Sequence, residues 1–148
     1  MYTLQTDTSF DSAHFLKGYE GKCSNIHGHR WKISIQVYGE ALETEGQMRG
    51  MIVDFSTLKQ DLKEIADDFD HALLVERGSL KPNTRKALTE EGFRMIELEF
   101  RPTAEHLAKH IYCLMENKGY QVLSVTVYET PNNCATFRQS AIPNQKGV

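Results

Sequence analysis

The stretch His27-Gly28-His29-Arg30-Trp31-Lys32-Ile33-Ser34-Ile35-Gln36-Val37 carries the first decision about this chain. Trp31, Ile33, Ile35 and Val37 alternate with Lys32, Ser34 and Gln36, so the segment reads as a half-buried strand with one apolar and one polar face. His27 and His29 continue the apolar parity. Both imidazoles therefore leave the backbone on the core side, at the end of the buried face, with the side-chain-free Gly28 between them.

Upstream, residues Tyr2 to Phe15 read as another strand, with Leu4, Phe10 and His14 in one parity. A loop from Leu16 to Ile26 carries Gly18, Gly21, Cys23 and Asn25. An antiparallel pairing of the two strands would lay His14 beside the His27-Gly28-His29 pair. Three neutral imidazoles suit zinc and leave a fourth position open. Cys23 has two readings: a fourth ligand closing the site, or an acid–base group beside the metal, with its thiolate favoured by zinc, Lys22 or Arg30.

Downstream, Gly39 to Gly50 reads as a turn and Met51-Ile52-Val53 as a short extension. Asp54 or Ser56 can cap a helix to Phe69, whose inner face would be Phe55, Leu58, Leu62, Ile65 and Phe69. Residues 80–91 suggest a short helix broken at Pro82, and Ile96, Leu98 and Phe100 an edge strand. Thr103 is an N-cap for a second main helix with Leu107, Ile111, Leu114 and Met115 inside, ended at Gly119. Leu123, Val125, Val127 and Glu129 share one face of a strand. Pro131-Asn132-Asn133 turns the chain, Ala135 to Ala141 returns, and Pro143 to Val148 reads as a loose tail. The order is ββααββ, an α+β fold with two helices on one face of an antiparallel sheet.

Further polar residues attract attention. Asp70-His71 follows the first helix and reads either as a carboxylate-oriented proton relay or as a helix end with a favourable His. Glu129 ends an apolar face. It is either a carboxylate that accepts two hydrogen bonds from a flat heterocycle edge or a strand end emerging into water. His106 and His110, spaced i, i+4, mimic a zinc pair, but no Glu follows His106, and they read as helix-surface residues. Cys113 and Cys134 read as small buried residues.

The chain has 148 residues, 40% of them hydrophobic and 25% charged, which fits one domain over residues 1–148. The net charge of -3 offers no basic footprint for nucleic acid. No apolar run is long enough to cross a membrane. Three widely spaced cysteines argue against a disulfide framework, and the start of the chain lacks a signal-peptide pattern, so a cytoplasmic location is expected.

Together these segments resemble one family. Cys23-Ser24-Asn25-Ile26-His27-Gly28-His29 is similar to the C-x3-H-G-H motif of the 6-pyruvoyltetrahydropterin and 6-carboxytetrahydropterin synthases, nearest to the bacterial 6-carboxy branch. Ser12-Ala13-His14-Phe15 resembles the family's first zinc-ligand segment and Val53-Asp54-Phe55 its entry into the first helix. Phe69-Asp70-His71 resembles its L-D-H relay, with Phe in place of Leu. Pro102-Thr103-Ala104-Glu105 resembles P-T-x-E, and Tyr128-Glu129-Thr130 its x-E-T anchor. The segments fall in the family's order from residue 2 to residue 138, and residues 76–100 are longer than in compact relatives.

The resemblance implies a tunnelling fold, with a four-stranded antiparallel sheet and two helices per subunit. It also implies a homohexamer built as a dimer of trimers, with active sites between subunits. The metal would be Zn2+ on His14, His27 and His29. Cys23, Asp70 and His71 would be catalytic, and Glu129, Thr103 and Glu105 would bind the pterin substrate. The implied reaction is a lyase step that takes 7,8-dihydroneopterin triphosphate to 6-carboxy-5,6,7,8-tetrahydropterin, with release of triphosphate and acetaldehyde, for queuosine and 7-deazaguanine synthesis. The 6-pyruvoyl product is the alternative within the family. A non-catalytic zinc or pterin-binding protein is the alternative outside it. Lys22, Arg30 and Arg138 are candidates for the triphosphate.

Overall fold

A computed structural model describes residues 1–139 of the chain. Two long strands, β1 (Tyr2–His14) and β2 (His27–Gly39), pair antiparallel in a register that sets Phe10 against Trp31, Ser12 against His29 and His14 against His27. β5 (Val122–Thr130) adds antiparallel to β2, and β6 (Asn133–Phe137) adds antiparallel to β5. These four strands form the expected antiparallel unit. The expected Ala135–Ala141 strand starts earlier and ends at Phe137; residues 140–148, including the tail, lie outside the described residues.

The sheet is larger than the sequence suggests. Beyond β1 it continues with β3 (Ala72–Glu76) and β4 (Met95–Leu98), both parallel to their neighbours, giving a mixed six-stranded sheet in the order β4-β3-β1-β2-β5-β6. Three helices join it: α1 (Phe55–Phe69), α2 (Pro82–Glu90) and α3 (Ala104–Asn117). The ββααββ order is therefore corrected to β-β-α-β-α-β-α-β-β. Pro82 does not break α2 but opens it, because the first helical position has no use for an N–H and wants proline's φ. Ile96 and Leu98 do fall in an edge strand, β4. Met51–Val53 is not a strand; its backbone closes a loop, with the Glu43 N–H donating to the Met51 carbonyl.

α1 packs on β1, and α3 on β5 and β6. Asp54 caps α1 by accepting from the Ser56 N–H, and Thr103 caps α3 by accepting from the His106 N–H. Leu58, Leu62, Ile65 and Phe69 face Leu107, Ile111 and Met115 across a core floored by Trp31, Ile33, Ile35, Val125 and Val127. Phe55, expected inside, is exposed: as the first residue of α1 it joins Tyr2 and Met51 around an apolar hollow. α2 buries none of its residues. No helix is long and apolar enough to cross a membrane.

Cys113 and Cys134 are exposed, not buried. Cys113 follows the inward Tyr112 by one residue and so turns off the inner face of α3, while Cys134 has the parity opposite to Ala135 and Phe137, which pack on the core.

Candidate metal and pterin site

The register of β1 and β2 builds the centre of the site. On the helix-covered face the row Phe10/Trp31, Ser12/His29, His14/His27 runs from the core to its rim. His14 is fully buried, and Trp31 stands edge-on to both His14 and His29, with ring centroids 4.9 and 5.2 Å away. The Trp31 indole N–H donates to the Ser12 carbonyl and so fixes that face. From β5, Glu129 prolongs the row of Val125 and Val127 and reaches the same rim. The ligand atoms of His14, His27, His29 and Glu129 all lie within 4.8 Å of one another, the one such group among the described residues.

The protonation pattern of this group is set by its surroundings. His14 Nδ1 donates to the Pro102 carbonyl at 2.7 Å, and His27 Nδ1 donates to the Asn25 carbonyl at 2.7 Å. A carbonyl only accepts, so each Nδ1 carries the proton and each neutral ring turns a bare Nε2 inward. Those two lone pairs face each other at 3.1 Å. Glu129 Oε1 lies 3.3 Å from both His14 Nε2 and His29 Nε2. His29 Nε2 is buried without a hydrogen-bond partner. Neighbouring corners of a tetrahedral zinc site with nitrogen ligands are about 3.3 Å apart. Converging lone pairs at that spacing, with an orphaned imidazole nitrogen among them, fit a divalent cation such as zinc. Burial holds His14 and His29 below the ordinary imidazole value of 6.5 against the opposing pull of Glu129, which keeps their rings neutral for binding.

Cys23 lies outside this group, half-buried in a single 3-10 turn, Lys22–Ser24, with its carbonyl accepting from the Leu16 N–H. It lines a cleft of about 330 Å³ with Thr103, Glu105 and Glu129, so four of the residues picked from sequence share one space. Tyr19 and Cys134 also line it, and no pattern in the sequence pointed to either.

Asp70 and His71 do share the turn that the relay reading requires. His71 is the one non-glycine at positive φ (52°) among the described residues, and this brings its Nδ1 to 2.7 Å from Asp70 Oδ2. Asp70 Oδ1 also accepts from the Asp11 N–H at 2.8 Å. That bond first, and the His71 contact second, hold the Asp70 carboxyl below its usual range. Within one chain, however, His71 opens on a different cleft from Cys23, one it lines with His29, Arg30 and Arg94. Arg30 pairs with Asp11 at 3.1 Å. His106 and His110 join no metal group among the described residues. His106 Nδ1 donates to the Arg101 carbonyl at 3.0 Å, and His110 is half-buried between Phe69 and Phe100 rather than on the open surface.

Comparison with known proteins agrees with this geometry. The sequence matches the 6-pyruvoyl tetrahydropterin synthase family over residues 3–140. It is 31% identical to the 6-carboxy-5,6,7,8-tetrahydropterin synthase of Haemophilus influenzae over 142 residues, covering 94% of this chain and all (100%) of the relative. It is 33% identical to the enzyme of the same name from Rickettsia bellii over 129 residues, covering 83% and 90%. In fold it resembles the 6-pyruvoyl tetrahydropterin synthases of Plasmodium vivax (TM-score 0.69, 21% identity, 93% and 97% covered) and Caenorhabditis elegans (TM-score 0.65, 22% identity, 94% and 96% covered).

Proposed function

The chain belongs to the 6-pyruvoyl tetrahydropterin synthase family, and from that premise we propose that it converts 7,8-dihydroneopterin triphosphate to 6-carboxy-5,6,7,8-tetrahydropterin, releasing triphosphate and acetaldehyde. The observation that carries the reading is the inward convergence of bare Nε2 atoms, two of them fixed by backbone carbonyls on Nδ1. His14, His27 and His29 would hold zinc, and bound zinc would supply Lewis acidity toward the substrate's side-chain hydroxyls.

The other roles fall to the chain's own groups. Cys23 accepts and returns protons at the side-chain carbons, from a cleft that Glu129 also lines. Glu129 grips the N–H/NH2 edge of the pterin, and its place on the walls of both the Cys23 cleft and a second cleft lined by His29, Lys32 and Tyr128 favours this over service to the metal alone. Thr103 and Glu105 form the rim at the start of α3. Asp70 orients the His71 ring through Nδ1, leaving the other ring nitrogen free to exchange a proton.

Cys23 and His71 open on separate clefts of one chain, so a complete site calls for a neighbouring copy that supplies the missing half. The outer edge of β1 supports such assembly: β3 meets it only at Ser12–His14, Asp11 is tied to the Asp70–His71 turn, and residues 2–10 pair with no strand on that side among the described residues. The proposal includes a homohexameric, cytoplasmic tunnelling-fold enzyme of one domain; the split clefts and the open β1 edge support the assembly of copies. Against a purely structural zinc site closed by a thiolate, Cys23 lies outside the group of converging ligand atoms.

The test is turnover of 7,8-dihydroneopterin triphosphate by zinc-loaded protein, with products resolved by mass and acetaldehyde assayed. Acetaldehyde with a 6-carboxy pterin supports the proposal. A retained three-carbon side chain moves the assignment to the 6-pyruvoyl reaction. No consumption by folded, metallated protein rejects the synthase reading.

A further inference from the structure

We propose that Arg94 is a positioning residue for the Asp70–His71 pair. α1 ends at Phe69, and the last carbonyls of a helix have no partner within it. The Arg94 guanidinium supplies one: it donates to the Asp68 carbonyl at 2.6 Å and also to the Asp70 carbonyl. Its positive charge lies at the negative end of the helix, where a cation is favoured.

The residue after Asp70, His71, holds the strained left-handed conformation. Such a conformation persists only where the surroundings over-determine it. Four contacts do so. Asp70 Oδ1 accepts from the Asp11 N–H, and the His71 N–H donates to the Asp11 carbonyl at 2.6 Å. The other two are the bonds from Arg94 to the carbonyls of Asp68 and Asp70, one on either side of Phe69. The Phe69 ring between them is buried in the core. Of the four contacts, only Arg94's come from a side chain outside the pair.

Arg94 is itself fixed. Its carbonyl accepts from the Leu73 N–H at 3.0 Å, and β4 begins at the following residue. The long segment between β3 and β4 thus delivers a guanidinium to the turn that aims His71.

A simple helix clip would stabilise α1 without affecting the His71 ring, so the test reads that ring directly. The kinetic part rests on the proton-transfer role proposed above; the spectroscopic part does not. Nitrogen–proton spectra of the histidine rings would be recorded on the full-length, zinc-loaded protein for the wild type, Arg94→Ala, Arg94→Lys and Arg85→Ala. Arg85 pairs with Glu97 in the same segment and does not touch the turn, so it controls for loss of an exposed ion pair.

In Arg94→Ala, the His71 Nδ1–H signal should move toward that of free histidine, and kcat should fall about tenfold or more with KM nearly unchanged. Arg94→Lys should recover part of both, and Arg85→Ala should change neither. His71 signals in Arg94→Ala that coincide with the wild type would overturn the proposal. If Arg94→Ala does not fold, the same comparison on Arg94→Lys decides, because an ammonium keeps the charge without the two-pronged reach. If the wild type turns over no substrate, the functional reading fails while the His71 spectra still decide the role of Arg94.

Discussion

The Nε2 atoms of His14 and His27 face each other at 3.1 Å while the Nδ1 atoms of both rings are tied to backbone carbonyls. While both rings are neutral, neither can offer the other a proton without giving up its carbonyl, and a cation between them relieves the repulsion. His14→Ala should therefore abolish stoichiometric zinc binding, as read by metal analysis after dialysis. It should also leave a folded protein, because the site lies at the rim of the core. Retention of one zinc per chain in His14→Ala would rule out the three-histidine centre.

Glu129 separates two roles. Its Oε1 lies in the metal group, yet the residue also lines the Cys23 cleft and the cleft shared with Lys32 and Tyr128. Glu129→Gln keeps the size and loses the charge. It should still bind one zinc, and it should raise KM for the pterin by about tenfold or more, the scale of a lost charge-assisted hydrogen-bond pair. Loss of zinc with unchanged KM would instead make Glu129 a ligand.

Cys23→Ala tests the acid–base assignment. The thiol lies outside the metal group, so zinc content should be unchanged, while kcat should drop about 100-fold to 10,000-fold, the range for removing a positioned proton donor or acceptor. Full turnover by Cys23→Ala would remove Cys23 from the mechanism.

Much of this was legible in the sequence, for a physical reason. Strand alternation from Trp31 to Val37 and helical spacing at Leu58, Leu62 and Ile65 report burial directly, so the four antiparallel strands and both core helices could be placed. The parity of His27 and His29 likewise put them on the core face. β3 was not legible: Ala72 to Val75 is a short apolar run, and its partner is the far end of β1, a pairing that no local pattern encodes. α2 was legible as a short helix within residues 80–91, but it buries no face, and Pro82 read as a break when it is the helix's first residue. The approach of Glu129 to the histidines and of Arg94 to the Asp70 turn depends on strand order, which residue spacing does not report.

Asp70 gives the pH prediction. The Asp11 N–H and the His71 contact hold its carboxyl below the ordinary 3.8. A group whose folded pKa is depressed contributes stability that is fully present above its unfolded pKa and is lost as pH falls through the folded one. Asp70→Asn has no such titration, although its amide oxygen can still accept from Asp11. The stability gap between wild type and Asp70→Asn should therefore be constant above about pH 5 and should shrink as pH falls toward about 3 and below. Urea midpoints of both proteins across that range measure it. A gap that stays constant down to the lowest pH would show that the Asp70 contacts do not favour its charged form, and would leave His71 without the oriented carboxylate that the relay requires.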